Sequence, residues 1–435
     1  MSNLESFSPF SGQWLLIFPS TAPFNPPTPA RNRVILPKLA VGARTATPSL
    51  EMSSPTAHPA HGSHHELRDY AQTPLNIYWE MTQACALACR HCRAEAVPFS
   101  DPQELTMAES LAFLQQIKDF GPPLPHLILT GGDPLERKGL FDLIEQAHAL
   151  GISISITPAA TPKLTLDVLA RLKEHGVEGL GLSLDGSTAQ KHDSIRGVPG
   201  TFDRTLEALR WAGDLGMPIQ VNTLVSAETA GDVPAVFNLL KGFAVTRWSL
   251  FFLISVGRGK ILQPLTPGEG ENLMEWIYET SRTAPFIVAT TEAPSYRRVV
   301  LEKMRAAGFT GDQIKRTGAY RGFGIRDGHG VLFVSHTGDI CPAGFLPLMA
   351  GNVRRDRVAE VYRTSPLFHA LHDPARFEGR CGICEYKVLC GGSRARAFGA
   401  TGNPLAEDPF CAYEPHSDVQ ALDLRSLKLQ ERSID

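Results

Sequence analysis

The thirteen residues Glu80–Cys92, "EMTQACALACRHC", hold three of the chain's eight cysteines. Cys85, Cys89 and Cys92 are separated by three residues and then by two. A structural zinc site takes four protein ligands, and a disulfide framework takes an even number of cysteines. Three thiols on one short loop, with no fourth close by, point instead to a metal centre with one position left open. The loop follows "LNIYWEMT", a β-branched and aromatic run that reads as a strand. The thiols therefore sit at a strand's carboxyl end, where parallel sheets carry their chemistry.

Outward from that loop the pattern repeats. Strand-like runs at "HLILTGG", "ISISITP", "GLGLSLDG", "IQVNTLV" and "RWSLFFLI" alternate with helical patterns such as "MAESLAFLQQIKDF", "LFDLIEQAHAL", "TLDVLARLKEHG" and "FDRTLEALRWAGDLG". Six strands separated by helices predict an α/β fold with right-handed crossovers and a parallel sheet, spanning residues 71–260. Residues 261–330 read as a connector with a helix near Gly268–Arg282. Within 331–415, "GVLFVSHTGDICPAG" predicts a β-hairpin and "RVAEVYRTSPLFHALH" an amphipathic helix. The last four cysteines follow in a Gly-rich segment, giving a small irregular α+β C-terminal domain organised around them. Residues 1–70, rich in Pro, Ser, Thr and Ala, read as a disordered or loosely ordered extension, and 416–435 as a tail. The run "HPAHGSHH" (His58, His61, His64, His65) reads as polar linker rather than a metal site.

A net charge of −3 over 435 residues carries no electrostatic footprint for nucleic acid or an anionic membrane. No stretch nears the roughly 20 apolar residues of a membrane span, and "WLLIF" near the start lacks the flanks of a signal peptide. The cysteines are thus expected to be cytoplasmic thiols, where clusters usually bind metal.

With "LILTGGDPL" and "GLGLSLDGS" downstream, the three-cysteine loop resembles that of the radical S-adenosylmethionine (SAM) enzymes, and the likeness runs over residues 70–415. It implies a partial (β/α)6 TIM-like barrel. It also implies a [4Fe–4S] cluster on Cys85, Cys89 and Cys92, whose open iron binds the amino and carboxylate groups of SAM. By the same resemblance His91 packs at the adenine, and the backbone of Gly131 and Gly132 meets the SAM amino group. Asp133 stands where a Glu is also common, and Ser183 and Arg196 serve the ribose and carboxylate region. A guanidinium suits a carboxylate because it binds it bidentately. Asn222 in "IQVNTLV" is a further inward polar candidate. "GLG" is not a dinucleotide fingerprint, because it lacks the third glycine and lies inside a strand.

Cys381, Cys384 and Cys390 in "CGICEYKVLC", with Cys411 in "EDPFCAYEP", suit zinc by spacing alone. The segment resembles the auxiliary-cluster domain called SPASM, which implies one auxiliary [4Fe–4S] cluster and leaves Cys341 spare. Ser393 stands where some relatives carry another cysteine. The stretch "CGGSRARAFGATGNPLAEDPFCAYEP" resembles a branch that alters tetrapyrrole side chains in alternative haem synthesis and in making the denitrification haem. The implied oxidoreductase activity is reductive cleavage of SAM to a 5′-deoxyadenosyl radical, then hydrogen abstraction from a small-molecule or peptide substrate. A low-potential donor such as flavodoxin or ferredoxin would supply the electron. Two alternatives stand beside the tetrapyrrole reading. One is a peptide or protein maturase of the same class. The other is an Fe–S or zinc-binding electron-transfer or interaction protein that does not cleave SAM. Glu80, Asp185 and Tyr78 fall near the expected pocket, but no spacing assigns a catalytic acid or base.

Overall fold

The sheet begins with β1 (Asn76–Glu80), where strict alternation sends Ile77 and Trp79 into the helical layer and leaves Asn76, Tyr78 and Glu80 on the other face. Trp79 meets Phe113 edge to face at 5.1 Å, locking the strand to the first helix. The computed structural model describes residues 69–416, 422–424 and 426–427. The expected N-terminal extension, its histidine run and most of the C-terminal tail lie outside the described residues.

Five more strands follow in the predicted positions: β2 (His126–Thr130), β3 (Ile154–Ile156), β4 (Gly179–Ser183), β5 (Ile219–Val225) and β6 (Arg247–Phe252). The helices between them are α1 (Met107–Ile117), α2 (Leu140–Ala149), α3 (Leu166–Glu174), α4 (Ala189–Arg196), α5 (Thr201–Asp214) and α6 (Val233–Leu240). β1 to β6 pair in sequence order and all in parallel. Helix starts follow local chemistry. Thr106 and Glu109 close a capping box on α1, and Thr266, Pro267 and Glu269 do so on α7 (Pro267–Ser281).

The connector range contributes a strand that the sequence reading lacked. β7 (Ile287–Thr291) pairs in parallel with β6, from Arg247↔Ile287 to Phe251↔Thr291. Its five residues "IVATT" are too short a run to stand out, yet four of them are β-branched and the run meets a waiting edge. α8 (Tyr296–Ala306) and α9 (Gly311–Lys315) follow. The expected hairpin forms as β8 (Val331–Val334) and β9 (Asp339–Cys341), with β10 (Gly351–Asn352) beyond it. β8 also pairs in parallel with β1, so this segment extends the main sheet. The ten-stranded order is β10-β9-β8-β1-β2-β3-β4-β5-β6-β7, an α/β partial barrel that does not close.

The single amphipathic helix expected near residue 360 is two. α10 (Val358–Thr364) ends before Pro366, which cannot donate into its last turn, and Ser365 caps α11 (Pro366–His372). The short α12 (Gly379–Ile383) and α13 (Arg394–Thr401) frame the distal cysteines. Among the described residues no helix is long and apolar enough to cross a membrane.

Candidate active site and cysteine centres

β1 delivers the chain into the cysteine loop at its carboxyl end, and the "GGD" that follows β2 lies directly behind it. Gly132 N–H donates to Thr82 O (2.8 Å) and Asp133 N–H to Ala84 O (2.7 Å). A Cβ on Gly131 would lie 2.6 Å from Thr82 O, and one on Gly132 only 2.4 Å from Ala84 O. The glycines are required because backbone meets backbone here. Asp133 is fully buried and accepts from Leu135 N–H, Ala159 N–H and the Thr161 hydroxyl. Burial pushes its carboxyl up to about 6, against those hydrogen bonds. Asp133 thus braces the turn.

The loop is clamped from three sides. Arg258, just beyond β6, donates through Nε to Cys89 O and through Nη1 to Ala96 O, both at 2.9 Å. Arg90 N–H reaches Ile195 O at 2.8 Å at the end of α4, and Cys85 N–H reaches Val97 O at 2.8 Å. Cys85 and Cys89 are buried in one small cluster with Leu87 and Ala96, and Cys92 packs against it. Each sulfur also accepts an N–H: Cys85 from Leu87 (3.3 Å), Cys92 from Ala96 (3.5 Å) and Cys89 from Arg196 Nη1 (3.7 Å). Such donors favour thiolate over thiol and steady a metal-bound sulfur. Burial first, then the charges of Asp133, Cys89 and Cys92, hold the Cys85 thiol up at about 12, and a bound metal would draw its proton off.

Beside the loop the expected cofactor residues converge. Arg196 Nη2 lies 2.8 Å from Asp185 Oδ2, and His91 Nε2 lies 3.9 Å from the same oxygen. Asp185 accepts from Leu224 N–H at 2.8 Å, while its own N–H donates to His192 Nδ1. Burial is the largest influence and opposes the Asp185 charge, but Arg196, His91, His192 and the Leu224 N–H together outweigh it and hold the carboxyl below its ordinary range. Burial pushes His91 down to about 4, leaving a neutral ring. Arg196 Nε, His91 Nδ1 and Arg258 Nη2 are buried with no hydrogen-bond partner. Unmet buried donors are expensive and mark a place where a ligand completes the structure. Ser183 at the end of β4 stands opposite Asn222 on β5, both half-buried. Asn222 Oδ1 accepts from Gln220 Nε2 at 2.8 Å.

Glu80 is occupied otherwise. Arg93 Nη2 (2.8 Å) and His336 Nδ1 (2.6 Å) hold its two oxygens, and against burial they keep its carboxyl ionised. Cys341, on β9, is buried with Arg93 and Glu80 as charged neighbours and is not part of the distal cysteine cavity. Arg258 and His336 carried no signal in the sequence, because their partners lie more than 160 residues away, and Arg93 carried none because it reaches Glu80 only once the cysteine loop folds back.

The four distal cysteines, Cys381, Cys384, Cys390 and Cys411, line a single cavity. Here too sulfurs accept N–H groups: Cys381 from Asp408 (3.4 Å), Cys384 from Tyr386 (3.4 Å) and Cys390 from Gly392 (3.3 Å). Among the described residues no three His, Cys, Asp or Glu side chains converge on one ion position. The four thiols spread around the cavity.

The comparisons with known proteins agree with this geometry. Residues 79–240 match the model of the Radical SAM superfamily. The chain is 35% identical to the AdoMet-dependent heme synthase of Methanosarcina barkeri over 344 residues, covering 79% of this chain and 97% of that protein. It is 28% identical to the pre-heme d1 synthase of Dinoroseobacter shibae, covering 81% and 90%. Among solved structures, Streptococcus suis SuiB bound to S-adenosylmethionine aligns with a TM-score of 0.60 at 18% identity, covering 79% of this chain and 78% of that one, a likeness of fold. This family implies SAM and a [4Fe–4S] cluster, for which the open three-thiol loop and its unmet donors leave a fitting place. The chain belongs to the radical SAM superfamily and is a radical SAM enzyme.

Proposed function

We propose that this enzyme modifies a side chain of an iron tetrapyrrole in the making of haem or a close relative. The observation that carries this reading is the 35% identity to an AdoMet-dependent heme synthase along 97% of that relative's length. In this reading Cys85, Cys89 and Cys92 hold the [4Fe–4S] cluster, which when bound supplies the electron that cleaves SAM. The chain's own residues do the positioning. Arg196, anchored by Asp185, keeps Nε free to donate to the SAM carboxylate, and neutral His91 offers an apolar ring beside the loop. Gly131 and Gly132 bring backbone against the loop, while Ser183 and Asn222 offer polar contacts from neighbouring strands. The barrel's inner face then continues polar: Ser249 and Thr291 share a 2.9 Å hydrogen bond there, and Arg247 lies on the same face of β6 as Ser249. Such a surface suits a substrate with charged side chains and excludes bulk water from the reacting carbon.

Cys381, Cys384, Cys390 and Cys411 hold an auxiliary [4Fe–4S] cluster, a reading supported by four thiols around one cavity with N–H groups donated to three of their sulfurs. A flavodoxin- or ferredoxin-type protein is the proposed donor, in a reducing cytoplasm where eight free cysteines remain thiols.

The test is anaerobic reconstitution with iron and sulfide, then incubation with SAM, dithionite and either iron porphyrins bearing carboxylate side chains or unmodified peptides. 5′-Deoxyadenosine formation coupled to a mass change in the porphyrin is the expected result. Coupling to a peptide alone overturns the tetrapyrrole reading and favours a maturase. No 5′-deoxyadenosine with any substrate overturns the SAM-site assignment.

A further inference from the structure

Two buried guanidinium groups, those of Arg326 and Arg394, stand against Gly391 and Gly392 on the wall of the distal cysteine cavity, and a third, Arg297, lies on α8; none of the three makes an ion pair within 4 Å among the described residues. Arg394 is wholly buried. Its donors go to Gly392 O (3.3 Å), Pro404 O (3.2 Å), Ala406 O (2.7 Å) and Cys381 Sγ (3.5 Å). Three acceptors are neutral carbonyls, so the sulfur is the one atom among the four that can carry negative charge. Arg326 is 5% exposed and donates to Gly324 O and Leu371 O, with Nε unpartnered. Arg297, on α8, has a buried Nη1 with no partner, and Cys390 is the foremost of its favourable charge neighbours. The cavity's own carboxylate, Asp408, pairs with Arg396, and Asp327 and Glu292 attract Arg297, as Asp327 does Arg394, without coming within ion-pair distance. Asp327 accepts from Ala395 N–H, Glu292 from the Ser393 hydroxyl, and burial beside each other pushes both towards the protonated form.

The fold makes room for this crowding. Phe377 lies between two of the cations, its ring centroid 5.1 Å from Arg326 and 4.6 Å from Arg394. Gly391 and Gly392 adopt φ of +69° and +67°. A Cβ there would fall 2.8 Å from Arg326 Cδ and 2.4 Å from Arg394 Nη2. The "CGG" of the sequence therefore brings guanidinium groups up to the cysteines.

Burying an unpaired cation costs several kcal/mol, and neighbouring like charges add to it. Arg326 shows the strain: burial, then Arg394 and Arg297, push it down to about 9. A cluster held by four thiolates is anionic in both oxidation states and supplies the missing charge.

Resting on the auxiliary-cluster reading above, we infer that Arg297, Arg326 and Arg394 form a cationic cradle for an anionic metal–sulfur group on the four distal cysteines, and that the cradle raises that group's reduction potential. Added electrons are favoured beside fixed positive charge, as charge and hydrogen bonds to sulfur tune cluster potentials generally. The distal group is thereby built to accept an electron rather than to deliver one.

The test uses the full-length reconstituted protein and Arg297→Met, which removes a charge without breaking a hydrogen bond seen here, with Arg394→Met as the second variant. Iron and sulfide are counted, and midpoints are read by EPR-monitored titration. SAM shifts only the signal from an open iron and so tells the two groups apart. We expect iron at both sites and a distal midpoint lower by at least a tenfold change in the reduction equilibrium, which is 59 mV for one electron. The metal-free Arg297→Met protein should melt higher than the metal-free parent, because an uncompensated cation is gone. An unmoved midpoint with full iron, or metal-free Arg297→Met protein that melts lower, overturns this inference alone. Iron confined to the first site in the parent overturns the reading of the cavity beneath it.

Discussion

Replacing Gly132 with alanine tests whether the cysteine loop owes its position to the backbone behind it. The new Cβ would stand 2.4 Å from Ala84 O and 2.6 Å from Gln83 O, both main-chain atoms of the stretch leading into Cys85. Carbon–oxygen contacts begin near about 3.3 Å, so the loop must retreat by roughly 0.9 Å. That retreat stretches the Gly132 N–H to Thr82 O and Asp133 N–H to Ala84 O hydrogen bonds, now 2.8 and 2.7 Å. At about 1 kcal/mol each, their loss costs about 2 kcal/mol, or roughly thirtyfold in the affinity of the loop for its metal. The assay is iron per chain after reconstitution and gel filtration, with 5′-deoxyadenosine formation alongside. Iron at the first site and the rate should both fall, while the distal site keeps its complement. Gly268→Ala on α7 is the control, since its Cβ meets nothing within 4 Å. If Gly132→Ala retains the iron and rate of the Gly268→Ala control, the close approach does not position the loop and the reasoning fails.

Arg258→Met should loosen the same loop from the opposite side. Two charge-assisted bonds of 2.9 Å to Cys89 O and Ala96 O are lost, and iron should leave faster under chelator, by at least tenfold for about 1.5 kcal/mol or more per bond. Trp79→Ala should lower stability by about 3–5 kcal/mol, read as urea midpoint, because the indole is 1% exposed against Phe113. Burial first, then Asp327, pushes Glu292 up to about 8. The folded chain therefore holds a proton that the unfolded chain gives up above about 4.5. Stability from this group is complete below that value and is lost as pH rises through about 8, so the metal-free protein should melt lower near pH 8 than near pH 6. Glu292→Gln should flatten that difference, and an unchanged slope would place the proton elsewhere.

What could be read from the sequence was what neighbours in sequence decide. Cys85, Cys89 and Cys92 lie within eight residues, and the strand before them alternates as strands must, so chemistry and edge were both legible. Pro366 was equally visible, and the break between α10 and α11 shows that periodicity was given too much weight over a residue that lacks an N–H. β7 is illegible for a different reason: a five-residue run with four β-branched side chains becomes a strand only because β6 offers an edge, and an edge is a property of the assembled sheet. The charges were the least legible of all. Arg297, Arg326 and Arg394 are ordinary residues in three separate segments, and nothing in their spacing says that they will share one pocket. Their meaning comes from the acceptors they lack. A surface arginine needs no partner, but a buried one without a carboxylate implies an anion that the polypeptide does not itself supply. The four distal cysteines line the neighbouring cavity and are the thiols placed to hold such an anion. With the proposed cluster in place the cations and the thiols account for each other: the arginines would be tolerable in the fold because the cysteines carry a negatively charged group.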